Sequence, residues 1–384
     1  MPFSALQQQL DQRAARGLLR RRYTVQSPQS PNIVVDGKNY LSFCSNDYLG
    51  LAGHPDVITA LADSASRFGV GAGAAHLVSG HSQAHQHLEN ALASFVRKPQ
   101  ALLFSTGYMA NLGVVQALVG KGDHVFADKL NHASLNDAML LSRATVHRYR
   151  HNDIAHLGKL LAAVGNGRKL LITDAVFSMD GDLALLPELL ALCEKHGAWL
   201  YVDDAHGFGV LGEQGRGTAA HFNLASPRII HMATLGKAAG VFGAFVAADR
   251  VVIATLVNQA HSYVYTTATP PALSGALLAS LCLIEHGDER RLHLQRLITQ
   301  LRCGLRDLPW RLMPSATPIQ PVLIGDNQAA LSLSSGLRDR GIWVAAIRPP
   351  TVPQGTARLR ITLSAAHSEA EVARLLEALH DLAR

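Results

Sequence analysis

Three groups in this sequence have residue types and placement that could do chemistry together: a lysine, an aspartate and a short turn rich in Ser, Thr and Gly. Lys237 closes Thr234-Leu235-Gly236-Lys237, directly after the apolar run Ile229–Ala233. An amine in such charge-poor surroundings is expected to have a lowered pKa and to attack a carbonyl. A lone lysine after a strand is more often a solvated loop residue, so its company decides. Upstream, Asp203 ends the apolar run that opens at Trp199, within Tyr201-Val202-Asp203-Asp204-Ala205-His206-Gly207. A carboxylate there can keep a pyridine nitrogen protonated, which makes the ring an electron sink, and His206 could reach such a ring's phenolic oxygen. The Asp-Asp-Ala-His stretch could instead be helix-capping acids or a metal pair, but neither explains the distant lysine. Ser105-Thr106-Gly107-Tyr108 follows the run Ala101–Phe104 and opens a helix from Met109, offering free backbone N–H groups to a phosphate. Tyr108 or His132 could stack on the ring. Amine, carboxylate and phosphate turn are together the parts that pyridoxal 5'-phosphate (PLP), carried as a Schiff base on Lys237, would need, and that cofactor is expected.

The elements that must position these groups follow from the apolar pattern. Ala101–Phe104, His124–Ala127, Lys169–Thr173, Trp199–Val202, Ile229–Ala233 and Gly243–Ala247 read as buried strands, with amphipathic segments such as Pro187–His196 between several of them. That alternation predicts an α/β fold with a mostly parallel central sheet covered by helices, and its ligands belong at the carboxyl ends of the strands. Leu6, Leu10, Ala14 and Leu18 predict a helix over Ser4–Arg22, with Ser4 as N-cap. Ile33–Phe43 reads as a hairpin turning at Asp36-Gly37. After the charged stretch Glu285–Arg291, a long helix to about Leu308 leads into strand-like runs at Ile319–Ile324 and Leu359–Leu363. The final helix starts at Ser368, with Glu371 completing a capping box and Val372, Leu375, Leu376 and Leu379 facing a core. The expected domains are an N-terminal helix-and-hairpin arm (1–45), a large cofactor-binding α/β domain (46–285) and a small α+β domain (286–384).

Composition excludes several classes. With 384 residues, 48% hydrophobic and 17% charged, the chain can build a sizeable core. No apolar run approaches the roughly 18 residues that span a bilayer. The polar start, Met1–Gly17, has no signal-peptide core, and a cytoplasmic location is expected. Cys44, Cys193, Cys282 and Cys303 are too scattered for a disulfide framework or a thiolate zinc site and read as structural thiols. Net charge is +6 and the pI about 9.2. The one dense basic run, Arg20-Arg21-Arg22, lacks interleaved aromatics, so a polyanionic metabolite suits this charge better than nucleic acid. His81, His85 and His87 have tempting spacing, but 19 histidines produce such spacing by chance and no Asp or Cys completes a site; no metal is expected. Gly71-Ala72-Gly73-Ala74-Ala75-His76 follows helix-like residues rather than a strand and is not a dinucleotide fingerprint. No Gly-x-Ser-x-Gly hydrolase motif is present.

Longer motifs carry a family resemblance over nearly the whole chain: Ser45-Asn46-Asp47-Tyr48-Leu49-Gly50-Leu51, Asn131-His132-Ala133-Ser134, Val176-Phe177-Ser178-Met179-Asp180-Gly181, the Asp203–His206 stretch, and Thr234–Lys237. With them the chain resembles the α-oxoamine synthases, PLP-dependent enzymes of the aspartate-aminotransferase (type I) fold that condense an amino acid with an acyl thioester. Ala346-Ile347-Arg348-Pro349-Pro350-Thr351-Val352-Pro353 resembles the biotin-pathway branch of that family. A glycine-using sister enzyme, 2-amino-3-ketobutyrate CoA ligase, is the alternative, and a non-catalytic PLP-fold protein a third reading, disfavoured by the intact Lys237, Asp203, His132 and His206. Ala238-Ala239 departs from the family, where a glycine comes first.

The resemblance implies a decarboxylative condensation of L-alanine with a pimeloyl thioester, on coenzyme A or acyl carrier protein. Lys237, His132 and Asp203 would be catalytic. Gly107, Tyr108, His132, Ser178, Asp203, His206, Thr234 and Lys237 would bind the cofactor. Arg348 would hold the amino-acid carboxylate through its planar fork, with Arg20, His132 and Thr351 also contacting substrate. The resemblance further implies a homodimer with shared active sites, Thr266 and Thr267 serving the neighbour's phosphate.

Overall fold

All six apolar runs become strands of one sheet because each is buried on both sides. The computed structural model describes residues 2–384. The seven strands are β1 (Gln100–Phe104), β2 (His124–Asp128), β3 (Thr145–Tyr149), β4 (Lys169–Asp174), β5 (Trp199–Asp203), β6 (Ile229–Thr234) and β7 (Ala244–Ala248). Their order across the sheet is β1-β7-β6-β5-β4-β2-β3. Strands β2 to β6 run parallel, and β7 is antiparallel to both neighbours. Successive side chains leave a strand on opposite faces. Leu170 and Ile172 therefore join a core with Leu102, Val114 and Met232, while Leu171 joins a second core with Phe126, Leu157 and Leu190. Burial on two faces accounts for runs that show no polar alternation. Strand β3 was not expected from the sequence. It pairs with β2 alone, and its half-exposed Thr-Val-His-Arg-Tyr has no apolar run to read.

This sheet and its helices form one compact unit, Leu49–Ser178 with Asp182–Arg291. The parallel strands end together in polar residues: Asp128 closes β2, Asp174 closes β4, Asp203 closes β5 and Thr234 closes β6. Asp174 stands directly opposite Asp203 in the pairing of β4 with β5. The β6–β7 connection carries Lys237 and is closed by backbone hydrogen bonds from Leu235 to Gly243 (2.8 Å), Gly240 to Lys237 (2.8 Å) and Val241 to Leu235 (3.0 Å). Gly240 turns it with φ +67°, and a Cβ there would lie 2.5 Å from the backbone nitrogen of Ala52. Ala238, the departure from the family, fits because Gly209 faces its methyl; a Cβ on Gly209 would come within 2.7 Å of it.

The second unit comprises the segments through Tyr48, Met179–Gly181 and Leu292–Arg384. Its four-stranded antiparallel sheet contains Ile319–Gly325 paired with Ala357–Thr362, close to the runs expected from the sequence. The capping box at Ser368 and Glu371 is present, and Val372, Leu375 and Leu379 are buried, with Leu376 only partly so. The Asp36-Gly37 hairpin forms with both turn residues at positive φ. The N-terminal helix is a correction. It covers Ser4–Ala15, not Ser4–Arg22, its N-cap is Phe3, and none of its residues is buried. Gly17 at φ +64° turns the chain and leaves Arg20 outside any helix. Among the described residues, no helix is long and apolar enough to cross a membrane.

The Gly240 turn generates a prediction. Gly240→Ala should destabilise the sheet-bearing unit by about 1–3 kcal/mol, since a left-handed alanine must also displace the Ala52 backbone. Urea unfolding followed by circular dichroism measures the loss.

Candidate active site

The carboxyl edge of the sheet brings together most of the residues singled out from the sequence. Asp203, at the end of β5, is buried, with 5% of its surface exposed. Its Oδ1 accepts the Ala205 backbone N–H (3.1 Å) and its Oδ2 accepts the Asn111 amide (2.8 Å). Asp204, its neighbour in sequence, turns the other way. It is fully buried and accepts from the Thr218 backbone and hydroxyl and from His231 Nε2, so it braces the core. His206 lies in the turn after β5 and is buried.

His132 sits at the head of the helix Ala133–Ser142, and its Nδ1 caps that helix by accepting from the Ser134 backbone. Its own backbone N–H donates to Asp174 Oδ2 at 2.7 Å. His132 is solvent-accessible, yet the protein atoms crowding its ring lower its pKa. Asp203 pulls that pKa up and the Lys237 charge pushes it down. The same charges act on Asp174, whose carboxyl is driven well above the usual range by burial and by Asp203, against the pull of the His132 N–H and Lys237. Asp203, His132, Asp174 and Lys237 are therefore within electrostatic reach of one another. Lys237 is half-buried.

The turn after β1 opens the helix Gly107–Leu118, and Thr106 caps it through its side chain, which accepts from Met109 N. Gly107 is required by close approach: a Cβ there would meet Thr234 Cγ2 at 2.6 Å. Thr234, at the end of β6, donates to the Ala205 carbonyl at 3.4 Å. Tyr108 is exposed and its hydroxyl donates to Asp137, which raises its pKa. Ser178 is half-buried in the loop after Phe177. Arg20, Arg348 and Thr351 lie in the other unit, where Arg20 Nη2 donates to Thr351 Oγ1 at 3.0 Å and Arg348 donates to the Gly17 carbonyl. The Arg348 Nε is buried without a hydrogen-bond partner among the described residues.

Of the three spaced histidines, His81 and His85 converge with His76 rather than with the exposed His87. His85 is committed at both nitrogens: Nδ1 accepts the Ser82 N–H (3.0 Å) and Nε2 faces the Thr269 carbonyl (2.7 Å). His76 and His81 share a hydrogen bond between their Nδ1 atoms at 3.0 Å.

Sequence reasoning missed Asn111, Ser134 and Asp174, which hold the groups it found. It also missed His151, whose ring lies between Asp128 Oδ1 (3.1 Å) and Asp182 Oδ2 (2.8 Å). Asp128 further accepts the backbone N–H groups of Leu130 and Asn152, and Asn152 Nδ2 reaches Asp182 Oδ2 and the Leu183 carbonyl. The ion triad thus ties the segment leading into His132 to the one following Ser178.

Known proteins match this arrangement along almost its full length. Residues 38–379 match the model of the aminotransferase class I and II family. An 8-amino-7-oxononanoate synthase of Nitrosospira multiformis is 62% identical over 379 residues, covering 99% of this chain and 96% of the relative. One from Nitrosomonas europaea is 57% identical over 382 residues, covering 99% of each. The chain belongs to the 8-amino-7-oxononanoate synthase family. Among solved structures, serine palmitoyltransferase of Sphingomonas wittichii superposes with a TM-score of 0.93 at 32% identity, over 99% of this chain and 96% of that one. The 8-amino-7-oxononanoate synthase of Francisella tularensis superposes with a TM-score of 0.78 at 31% identity, over 89% and 97%.

The chain is thus a PLP-dependent acyltransferase of the α-oxoamine synthase type, of the type I fold expected from its sequence, and it serves biotin biosynthesis. The residues present fit PLP. Asp203 is an acceptor-only carboxylate matched to a pyridinium N–H. The Gly107 turn is capped on one side and pressed by Thr234 on the other, leaving no room for a Cβ beside the helix N–H groups that attract phosphate.

The His151 triad generates a pH prediction. Burial opposes the ring's charge, but hydrogen bonds to Asp128 and Asp182 overcome it and raise the pKa from 6.5 to about 10. A group raised on folding stabilises fully below its unfolded pKa, and that contribution is lost as pH climbs through the folded value. Wild type should therefore exceed His151→Gln in melting temperature at pH 6, with the gap closing as pH rises toward 10. A constant gap over that range would refute the charged triad.

Proposed function

We propose that the enzyme joins L-alanine to a pimeloyl thioester, on coenzyme A or acyl carrier protein, releasing CO2 and free thiol and forming 8-amino-7-oxononanoate. The observation that carries this reading is the mutual reach of Asp203, His132 and Lys237 at one sheet edge, in a chain so similar to synthases of that name. The positive charge of the chain, +6, suits an acyl carrier that is itself polyanionic.

Bound PLP supplies a ring that takes up the negative charge developing at the α-carbon of alanine. Asp203 would hold the cofactor's ring nitrogen protonated, and the Asn111 amide and the Ala205 N–H keep its carboxylate aimed. Lys237 would hold the cofactor through its Nζ, and that amine would take the α-proton of alanine and return a proton to the same carbon. His132 would cover one face of the cofactor and contact the amino acid, excluding water from that side. His206 would bond the ring oxygen, Ser178 and Thr234 would help hold the cofactor, and Gly107 and Tyr108 would meet its phosphate. Arg348 pairs with the alanine carboxylate through two parallel N–H donors, which its unpartnered buried Nε leaves it ready to do. Arg20 and Thr351, already bonded to each other, contact the substrate.

The enzyme acts as a homodimer in the cytoplasm. Val70 and Val78 (each 80% exposed) and Tyr265 (79%) are large apolar side chains left in water, and the bridge between Ala75 and Thr267 brings their segments together. Thr266 and Thr267 adjoin this face and serve the partner's phosphate. All four cysteines are free thiols, as suits a reducing compartment.

Thiol release tests the reaction. PLP-loaded enzyme should release thiol from pimeloyl-CoA with L-alanine and not from acetyl-CoA with glycine; the reverse result would move the chain to the glycine-using reaction. Lys237→Ala should lower kcat by about 10³-fold or more while retaining the melting temperature. Asp203→Asn should bind PLP weakly and turn over little. Sedimentation equilibrium should give twice the 41.2 kDa chain mass, falling toward one for Val78→Glu.

A further inference from the structure

A single buried amide links the two groups closest to the reaction. Asn111 lies one helical turn after Gly107, and 1% of its surface is exposed. Its Oδ1 accepts the hydroxyl of fully buried Tyr201 at 2.7 Å, and its Nδ2 donates to Asp203 Oδ2 and to Ser134 Oγ, both at 2.8 Å. The orientation of this amide is forced. Flipped, it would set its oxygen against the Asp203 carboxylate, acceptor against acceptor. Tyr201 is also fixed as a donor, since burial and the neighbouring Asp203 carboxylate keep its hydroxyl protonated.

Direction then propagates. Ser134 Oγ accepts from Asn111, so its own proton is free for His132 Nδ1, 2.7 Å away. The Ser134 backbone N–H, which can only donate, points at the same Nδ1 at 3.3 Å. Two donors on one ring nitrogen leave His132 a single comfortable form, neutral with its proton on Nε2.

We propose that Asn111 is the positioning residue of this active site: one amide orients the Asp203 carboxylate and, through Ser134, holds His132 as the neutral Nε2–H tautomer. Nε2–H is then the hydrogen-bond donor that His132 offers to whatever occupies the site, and its side chain is not a proton donor from Nδ1. The lowered pKa of His132 accords with this arrangement. The charged groups acting on the ring are Asp203, Lys237 and Asp137, and Asp174 holds its backbone N–H. The inference does not depend on which amino acid or thioester is used.

The experiment is imidazole ¹⁵N NMR of PLP-loaded enzyme without substrate, with His132 assigned by His132→Gln. Wild type should show an unprotonated Nδ1 and a protonated Nε2 at neutral pH. Ser134→Ala removes the stronger donor to Nδ1, which favours the neutral ring, so the His132 pKa should rise by about half a unit to one unit while PLP affinity holds. Asn111→Leu should produce the same rise and also weaken PLP about tenfold, because Asp203 loses a donor. A protonated Nδ1 in wild type would overturn the proposal. So would Ser134→Ala with an unmoved His132 titration, a variant small enough to fold whatever the fate of Asn111→Leu. Neither readout involves turnover, so a wrong substrate assignment cannot mimic failure here.

Discussion

A carboxylate taken out of water costs several kcal/mol unless charge or hydrogen bonds compensate it, and the architecture of this enzyme is arranged around one such group. Asp203 ends the central strand of the seven-stranded sheet, opposite Asp174 and close to Lys237. Two neutral donors hold it, the Asn111 amide and the Ala205 N–H. Neutral donors compensate the charge without consuming it. An ion pair with arginine would neutralise the charge that a pyridinium needs opposite it. The second carboxylate, Asp174, avoids the conflict by the opposite route: its pKa is driven up, and it accepts the His132 backbone N–H. Two adjacent acids at one sheet edge thus acquire different roles through their partners alone.

The placement of the candidate site residues was legible in the sequence because it is tied to strand ends. Each parallel strand is buried on both faces, so it reads as an uninterrupted apolar run, and the first polar residue after the run marks the edge where ligands bind. Lys237, Asp203 and the Gly107 turn could be located in this way from residue types and order. Which of Asp203 and Asp204 faces the site is a matter of one residue's phase on the strand, and it comes out as the strand's last residue pointing to the site and the next one turning into the core against Thr218 and His231.

What stayed hidden lacks periodicity. Asn111 and Ser134 are neutral polar residues on helices, and no spacing rule distinguishes a buried amide with three partners from a solvated one. Asn111 did leave a trace: Asn111 and Gln116 are the two amides in Gly107–Leu118, a helix otherwise apolar enough to be buried nearly all round. Edge strand β3 was invisible because a strand with one neighbour and one wet side needs no apolar run. The N-terminal helix was overextended because leucine spacing continues through Leu18, whereas the chain turns at Gly17, and a four-residue period of exposed leucines carries no packing energy to hold the helix past that point. The histidines at 81, 85 and 87 illustrate the same limit from the other side. Their spacing suggested a shared face, but the five-residue turn His76–Gly80 brings in His76 instead, and His85 is absorbed in capping a helix.

The distribution of rigidity follows from these constraints. The groups that set charge, namely Asp203, Asp174, Asn111 and Tyr201, are all buried, so their geometry is enforced by the packing of strands and helices that cannot move independently. Other candidate site residues lie nearer the surface: Lys237 and Ser178 are half-buried, and His132 is accessible to solvent. His132 is the instructive intermediate, because its ring is open on the outside while its Nδ1 is fastened from within by Ser134. A residue fastened at one nitrogen can keep a fixed tautomer and a fixed plane without being buried. Precision at an open site is thus supplied by hydrogen bonds reaching out from a closed core, and in this protein they reach out from the same amide that fixes the buried carboxylate.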